Sequence, residues 1–303
     1  MASEERGLIF DIVHGSFVDG YGIRTTVFFK GCPLRCIWCC NPEGQSARPE
    51  IKLSLSKCTG CNRCIEICPT GAIKEKDDKI ALDRSLCDLC GECINVCYEG
   101  ALDWFGRYYT VQEVYENAMK DAEYYRNSEG GVTLGGGEAT MQPAFALALM
   151  RKLQSDGIHV AIDTCGYALT KGAFQVLAEA DLLLYDIKGL DPERHLKDTG
   201  VSNRVIVENL RKLGDMRKPI IIRLPLIPRH TTDEQTLKAE AEFIAGIPSV
   251  ERIDLIPYHN YSTAKYEQLG RVYPLTEPLL SEEEVENIRQ LFALRNLPVQ
   301  VGG

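Results

Sequence analysis

The sequence has no apolar run close to the roughly 20 residues that a membrane-spanning helix needs. Its first residues, MASEERGLIFDI, lack the basic segment and apolar core of a secretion signal. We therefore expect a cytoplasmic protein that makes no contact with membranes. The 303 residues are 45% apolar and 25% charged, which excludes a disordered or low-complexity chain and predicts about two domains.

Basic charge is also scarce, since 34 lysines and arginines face 43 aspartates and glutamates and leave a net charge of −9. This balance argues against a nucleic-acid partner, because the phosphates of nucleic acids attract basic surfaces. Of the 13 cysteines, only Cys165 lies outside the stretch from Cys32 to Cys97. In a reducing cytoplasm such a concentration of cysteines indicates metal binding rather than disulfide bonds.

The first cysteine group, GCPLRCIWCC, contains Cys32, Cys36 and Cys39 at C-x3-C-x2-C spacing, with Cys40 directly behind. A cubane [4Fe-4S] cluster takes four thiolates, so three cysteines leave one iron without a protein ligand. The open iron predicts a catalytic cluster that binds a further molecule.

Two further groups share the spacing C-x2-C-x2-C-x3-C, which is typical of bacterial two-cluster ferredoxins, in which the fourth cysteine binds the other cluster. The repeat continues as CPTGAI beside CYEGAL, which indicates two copies of one small unit. Zinc is the weaker alternative, because tetrahedral zinc sites use pairs of C-x2-C. We therefore assign one closed [4Fe-4S] cluster to Cys58, Cys61, Cys64 and Cys97, and another to Cys87, Cys90, Cys93 and Cys68.

Residues 51–104 are predicted to be an inserted ferredoxin-like domain whose two clusters carry electrons. The remainder, 1–50 and 105–303, has the size of a barrel. Its short apolar runs predict strands that a parallel sheet buries on both faces. The runs are residues 23–31, 131–136, 159–166, 182–188, 220–227 and 252–258.

Helices with recognisable ends are expected between these strands. Six alternations of strand and helix predict an α/β fold, an open, partial (β/α)6 TIM-type barrel. The expected helices are a stretch from Pro143 to Gly157, residues 202–213 before Gly214, one with a capping box of Thr232 and Gln235, and one with a capping box of Ser281 and Glu284.

Polar residues end the predicted strands, and in such a barrel the strand ends meet at one mouth. Each has an ordinary explanation by itself, as a turn glycine, a rim charge or a loop histidine, but five such ends together favour a ligand site. The polar ends are Gly136-Gly137-Glu138, Asp163-Thr164, Asp186 with Lys188, Arg223, and Tyr258-His259.

Beside the first cysteine group, several segments carry a resemblance to a known family. They are DGYGIRTTVFFKGCPLRC, CNPEGQ, GGVTLGGGE, DTCG, YDIK, TGVSNRVIVENL and YHNYSTAKYEQLG. From Phe10 to Val301 the chain resembles the glycyl-radical-enzyme activating enzymes of the radical S-adenosylmethionine superfamily, in the subgroup with two ferredoxin-type clusters.

The resemblance implies an oxidoreductase with three [4Fe-4S] clusters that cleaves S-adenosylmethionine reductively. The resulting 5′-deoxyadenosyl radical would take a hydrogen atom from one glycine of a partner glycyl radical enzyme. A flavodoxin or ferredoxin would donate the electrons. The protein would be a monomer that docks transiently in an anaerobic cytoplasm.

The resemblance also implies roles for single residues. Cys32, Cys36 and Cys39 would hold the catalytic cluster, and Asp19 and Lys188 would be reached by the glycine loop of the partner. Lys188 would also belong to the catalytic group. A monovalent cation would be held by Asp163, Thr164 and Asp186, and S-adenosylmethionine would contact Trp38, Gly136, Gly137, Glu138, Lys188, Arg223 and His259.

Two positions depart from the family pattern. Tyr21 replaces the proline of the usual DGPGIR, which leaves the backbone there less fixed, and Ala139 replaces the proline that usually follows Glu138. Neither change removes a ligand. Cys40 and Cys165 are expected to be packed or incidental thiols.

Two alternative functions stay open. A different radical S-adenosylmethionine enzyme with auxiliary clusters would normally carry the extra cysteines after the barrel. A ferredoxin-type electron carrier would hold two clusters and cleave no S-adenosylmethionine. The partner is not fixed by the sequence, since aryl acetate decarboxylases, choline lyases, diol dehydratases and C–S lyases all fit, and general similarity favours the first two.

Overall fold

The computed structural model describes residues 5–293 and 298–302. In chain order the strands are β1 (Arg6–Ser16), β2 (Arg24–Phe29), β3 (Glu50–Leu53), β4 (Ile73–Lys76), β5 (Lys79–Leu82), β6 (Leu102–Phe105), β7 (Arg107–Thr110), β8 (Gly131–Gly136), β9 (His159–Thr164), β10 (Leu182–Asp186), β11 (Ile220–Leu226), β12 (Val250–Pro257) and β13 (Val299–Val301). The helices are α1 (Arg63–Ile67), α2 (Glu92–Asn95), α3 (Val111–Ala118), α4 (Ala122–Ser128), α5 (Pro143–Ser155), α6 (Lys171–Glu179), α7 (Pro192–Thr199), α8 (Arg204–Asp215), α9 (Glu234–Ala245), α10 (Thr263–Gln268) and α11 (Glu282–Ala293).

Within those residues one sheet has nine strands in the order β13-β12-β11-β10-β9-β8-β2-β1-β7. The first seven strands in this order, β13 to β8 and then β2, run parallel to one another. β1 is antiparallel to both of its neighbours, β2 and β7. The six strands predicted from the sequence are β2 and β8 to β12, which lie side by side. The predicted partial barrel is confirmed.

The parallel strands are buried on both faces, as their unbroken apolar runs predict. In β10, Leu183 and Tyr185 belong to the main core, together with apolar residues of the helices. Leu182 and Leu184 point the other way, because side chains alternate along a strand, and they form a small cluster with Ile221. Polar residues that follow these runs are thereby carried to the carboxyl ends of the strands.

The helix ends agree with the sequence in two cases and differ in two. Pro143 is the first residue of α5. The backbone N–H of Glu284 donates to Ser281 Oγ over 3.2 Å, and the N–H of Ser281 donates to Glu284 Oε2 over 2.7 Å, so that capping box is confirmed. The capping box of Thr232 with Gln235 was a wrong prediction.

The helix in question begins one residue later. Its N-cap is Asp233, whose carboxylate accepts a hydrogen bond of 3.0 Å from the N–H of Thr236. Asp is among the strongest N-cap residues, so it is preferred over the threonine before it. The predicted stop of α8 at Gly214 is also one residue early, because the helix continues to Asp215.

The cysteine-rich stretch forms a separate small unit, residues 50–105, which we refer to as the insert. It has two antiparallel strand pairs, β3 with β6 and β4 with β5, and the short helices α1 and α2. Asn62 and Gly91, the residues before these helices, both have positive φ, and Cys64 and Cys93 behind them are both buried. The insert thus has internal two-fold similarity. The predicted limits 51 and 104 stay a prediction, and residues 1 and 303 lie outside the described part.

Among the helices of the described residues, none combines the length and the apolar character that crossing a membrane requires.

Candidate active site

One cavity collects most of the predicted site residues at the carboxyl ends of β2 and β8 to β12. It is also lined by Tyr258, one of the predicted polar strand ends, by Cys40 and Cys165, which were expected to be packed or incidental thiols, and by Asn41 and Gln45, which the sequence did not single out. The predicted residues that line it are Cys32, Cys36, Trp38, Cys39, Gly136, Gly137, Asp163, Thr164, Asp186, Lys188, Arg223 and His259.

The three cysteines of the open set lie on the loop that follows β2, residues 32–40, here the cluster loop. The last turn of α7 holds this loop, since the N–H groups of Arg35 and Ile37 donate to the carbonyls of Thr199 and Asp198 over 2.7 and 3.0 Å. Burial raises the pKa of the Cys36 thiol to about 12. The thiol therefore keeps its proton until a metal replaces it.

Cys165 contacts Cys32, although the sequence assigned it no role in the site. A hydrogen bond with its thiol lowers the pKa of Cys32, in spite of the burial that opposes this. The pKa of Cys165 itself is raised far above the ordinary value, first by that hydrogen bond and then by burial. The two residues are far apart in sequence, so spacing alone gave no sign of this contact.

Glu138 is fully buried and is absent from the cavity lining in the described part of the chain. Its carboxylate accepts hydrogen bonds from the Thr140 hydroxyl over 2.9 Å, from the Thr164 hydroxyl over 3.0 Å and from the Cys165 N–H over 2.8 Å. The side chain therefore ties the end of β8 to the end of β9, and the Thr164 hydroxyl is turned towards it.

Two carboxylates and two cations face one another in the cavity. Asp186 is 2.6 Å from Lys188 Nζ, and Asp163 is 3.3 Å from Arg223 Nη1. Burial raises the pKa of Asp163 to about 7, although Arg223 opposes the rise. For Lys188, burial is the largest influence and lowers the pKa, but the charge and hydrogen bond of Asp186, together with the charges of Cys36 and Cys165, outweigh burial and raise the pKa.

Two buried nitrogen atoms of this cavity, Nε of Arg223 and Nδ1 of His259, find no hydrogen-bond partner among the residues that the structure describes. The His259 ring stacks on Tyr261 with the ring centroids 4.8 Å apart. Burying a polar atom without a hydrogen-bond partner costs free energy. These two nitrogen atoms beside the three cysteines therefore fit a polar ligand that supplies hydrogen-bonding groups. The carboxylate and ribose of S-adenosylmethionine have such groups.

Gly137 allows the backbone to approach closely the residues on either side of the cluster loop. A Cβ atom at this position would lie 2.4 Å from the Gly44 carbonyl oxygen and 2.5 Å from that of Gly31. The N–H of Gly137 donates to Phe29 over 2.8 Å at the end of β2. Glycine is therefore required here by space, and this packing explains part of the GGE segment without a ligand.

Asp19 lies apart from the cavity lining in the described residues. Its carboxylate accepts hydrogen bonds from Ser16 Oγ and Thr26 Oγ1 over 2.6 and 2.7 Å. The neighbouring Tyr21 donates to Glu251 Oε2 over 2.9 Å, and Arg252 lies 5.3 Å above its ring. These contacts anchor the segment where the family proline is missing.

Two further cavities lie in the insert. The first is lined by Cys58, Cys61, Cys64 and Cys97, and the second by Cys68, Cys87, Cys90 and Cys93. Each set contains three cysteines of one sequence motif and the fourth cysteine of the other. Over residues 5–293 and 298–302, no three His, Cys, Asp or Glu side chains surround a single metal ion, but cubane thiolates bind different irons and so surround a cavity.

Comparison with known proteins decides the family. The model of the radical SAM superfamily matches residues 26–239. A trans-4-hydroxy-L-proline dehydratase activating enzyme from Clostridioides difficile is 43% identical over 302 residues, 98% of this chain and 99% of the relative. This chain belongs to the radical S-adenosylmethionine superfamily, among the glycyl-radical-enzyme activating enzymes. The family expected from the sequence is confirmed.

Other activating enzymes show similar relationships. A choline trimethylamine-lyase activating enzyme from Oleidesulfovibrio alaskensis is 38% identical over 98% of both chains. A benzylsuccinate synthase activating enzyme from Thauera aromatica is 37% identical over 98% of this chain and 92% of the relative. A solved radical SAM methyltransferase from Sphaerobacter thermophilus shares the fold, with a TM-score of 0.54 over 92% of this chain and 66% of that chain at 14% identity. Membership of the superfamily implies a [4Fe-4S] cluster and S-adenosylmethionine.

Proposed function

We propose that this activating enzyme generates a radical at the cavity of Cys32, Cys36 and Cys39 and transfers it to a glycine of a partner glycyl radical enzyme. The observation that carries the proposal is the convergence of these three cysteines with two buried, unpartnered nitrogen atoms in one cavity. An electron carrier needs no such ligand-sized space beside its cluster, so the cavity favours the enzyme.

When bound, the cluster and S-adenosylmethionine supply one-electron cleavage to the 5′-deoxyadenosyl radical that takes the glycine hydrogen. The chain contributes position and charge. Arg223 and Lys188 place positive charge beside the carboxylate of the cofactor, and Trp38, which is 8% exposed, offers an aromatic wall. His259 supplies a ring nitrogen that has no partner in the described part of the chain. Burial strengthens each of these interactions and keeps water from the radical.

A monovalent cation beside Asp163, Thr164 and Asp186 is part of the proposal. The two carboxylates are now paired with Arg223 and Lys188. When the side chains of Arg223 and Lys188 turn towards the cofactor carboxylate, the two aspartates lose their partners. A bound monovalent cation would then restore the charge balance.

We further propose that the insert is a ferredoxin-like domain and that the chain carries three [4Fe-4S] clusters. Support comes from the division of its eight cysteines between two cavities, which matches the exchange of the fourth cysteine in two-cluster ferredoxins. A flavodoxin or ferredoxin would supply the electrons. We propose that the protein is a monomer in an anaerobic cytoplasm.

Metal content and cofactor cleavage test the radical activity. Anaerobically reconstituted protein should hold about twelve irons, whereas an electron carrier with two cubanes would hold about eight. With dithionite it should form 5′-deoxyadenosine from S-adenosylmethionine. Cys39→Ser should abolish that product, and the matched control Cys40→Ser should retain it. Equal activity in both variants, or no product from the wild type, would refute the proposal.

The partner is tested by the radical that it receives. Relatives are named as activators of a hydroxyproline dehydratase, a choline lyase and a benzylsuccinate synthase. Each of these enzyme classes can be incubated with the reduced protein and S-adenosylmethionine, and a glycyl radical signal read by electron paramagnetic resonance. A signal in one class names the partner class, and a Gly→Ala variant of that partner should give none.

A further inference from the structure

Two sequence segments to which no chemical role has been assigned are joined in the structure, CNPEGQ at residues 40–45, part of which lines the cavity, and the stretch after His259. Lys265 Nζ lies 2.7 Å from Asn41 Oδ1 and 2.7 Å from Glu43 Oε1. Arg271 Nη1 donates to the Pro42 carbonyl over 3.2 Å. The segment from Lys265 to Arg271 is therefore fixed to the end of the cluster loop.

The same segment is fixed to the insert. Arg271 Nη2 lies 2.7 Å from Glu50 Oε1, at the first residue of β3. From the insert side, Arg84 donates to the Gln268 carbonyl over 2.9 Å and to the Ile51 carbonyl over 2.8 Å. Two charged contacts, Arg271 with Glu50 and Arg84 with the Gln268 carbonyl, thus connect this segment to the insert.

A buried tyrosine lies within this connection. Tyr266 is 5% exposed, and its ring meets that of Tyr273 edge-on, with the centroids 5.0 Å apart. Tyr273 in turn packs against the cluster of Trp38, Ile227 and Tyr258, as do Cys36 and Ile37 of the cluster loop. Through Tyr273, Tyr266 is therefore connected to the packing around the cluster loop, on the segment that also contacts the insert.

We infer that Lys265, Tyr266 and Arg271 are positioning residues that fix the insert against the cluster loop and so set the rate of electron transfer between the closed clusters and the catalytic cluster. The inference rests on the proposed function. With the closed clusters held by the two cysteine sets of the insert, one electron from a reduced flavodoxin would pass through them to the cluster held by Cys32, Cys36 and Cys39, so that the flavodoxin would be oxidised and that cluster reduced. Because transfer slows steeply with distance, a small displacement of the insert has a large effect on rate.

The test compares two reductants in Arg271→Gln. Glu50 keeps its contact with Lys30 in this variant, so the fold is preserved. With reduced flavodoxin, we expect the maximal rate of 5′-deoxyadenosine formation to fall by at least about fivefold, at an unchanged half-saturating flavodoxin concentration. With dithionite, which reaches the catalytic cluster directly, the rate should stay within about twofold of the wild type. Arg271→Lys should restore part of the loss, and Lys212→Gln, in an exposed ion pair of α8, should behave as the wild type.

A spectroscopic measurement gives an independent readout. Magnetic interaction between the reduced clusters should weaken in Arg271→Gln and stay unchanged in Lys212→Gln. The inference is overturned if both reductants are slowed equally, if neither is slowed, or if only the half-saturating flavodoxin concentration rises, which would make Arg271 a docking residue. Absence of product from the wild type with dithionite would instead refute the proposed function.

Discussion

The carboxylate of Glu138 accepts a hydrogen bond of 2.8 Å from the backbone N–H of Cys165, 27 residues further along the chain. Together with the bond from Thr164, it ties two neighbouring strand ends to one buried charge. Cys165 is also the hydrogen-bond partner of Cys32. Glu138 therefore holds in place a residue that contacts the cluster loop.

Glu138→Gln is therefore expected to lower the free energy of unfolding by about 1.5–3 kcal/mol, because hydrogen bonds to a buried charge are lost while the shape is kept. The midpoint of denaturant unfolding of the anaerobic protein measures this. The exposed Glu283→Gln should stay within about 0.5 kcal/mol of the wild type. A Glu138→Gln protein as stable as this control would show that the carboxylate is not needed.

The grouping of the cysteines in the insert predicts which substitutions damage the same cluster. Cys97→Ser and Cys58→Ser should alter one cluster, since both residues line one cavity, and Cys68→Ser should alter the other. Each variant should lose up to about four of about twelve irons. Redox titration followed by electron paramagnetic resonance identifies the cluster that changes. If Cys97→Ser and Cys93→Ser changed the same cluster, the proposed exchange of ligands would be wrong.

The sequence predicted the six central strands because each is an apolar run between turns. It missed β1, RGLIFDIVHGS, because its burial is irregular and its outer half is exposed, so neither an apolar run nor a clean alternation is visible. β7 and β13 are only four and three residues long. Their position is set by pairing with neighbours rather than by their own composition.

In the cavity, residue types and spacing were sufficient to select eleven of the twelve predicted residues that line it, because strand ends in a barrel converge, whereas Trp38 was implied by the family resemblance. The sequence did not predict which way a side chain turns. Glu138 was expected at the cofactor, yet its carboxylate faces Thr164 and Cys165. Orientation of this kind depends on long-range contacts that periodicity does not report.

A buried ion pair at the start of the insert gives a stability prediction. Lys30 is 1% exposed, and its Nζ lies 2.7 Å from Glu50 Oε2. Burial lowers the pKa of Lys30, and Glu50 opposes that fall. Glu50→Ala would leave the ammonium buried without its carboxylate, so we expect a loss of about 3–5 kcal/mol in unfolding free energy.

The matched control for Glu50→Ala is Asp103→Ala, which breaks the exposed pair with Arg107. That pair should contribute about 0.3–0.5 kcal/mol at most. Chemical denaturation of both variants under anaerobic conditions gives the comparison. Similar losses in the two variants would contradict the role of the buried pair.

Glu240 on α9 predicts a pH dependence of stability. Its side chain is 2% exposed, and burial, followed by the charge of Asp233, raises its pKa to about 8. In the unfolded chain the pKa of a glutamate is about 4.3. The folded state therefore holds a proton that the unfolded state releases between these values. The contribution of Glu240 is fully present below about pH 4 and is lost as the pH rises towards 8, by up to about 1.4 kcal/mol per pH unit.

Glu240→Gln should remove this dependence, since an amide does not titrate. The unfolding free energy of the variant relative to the wild type should therefore rise steadily from pH 5 to pH 8, measured by denaturant unfolding at each pH. The exposed Glu283→Gln should show a constant difference over the same range. A constant difference for Glu240→Gln as well would mean that this carboxyl group ionises in the folded protein as freely as it does in the unfolded chain.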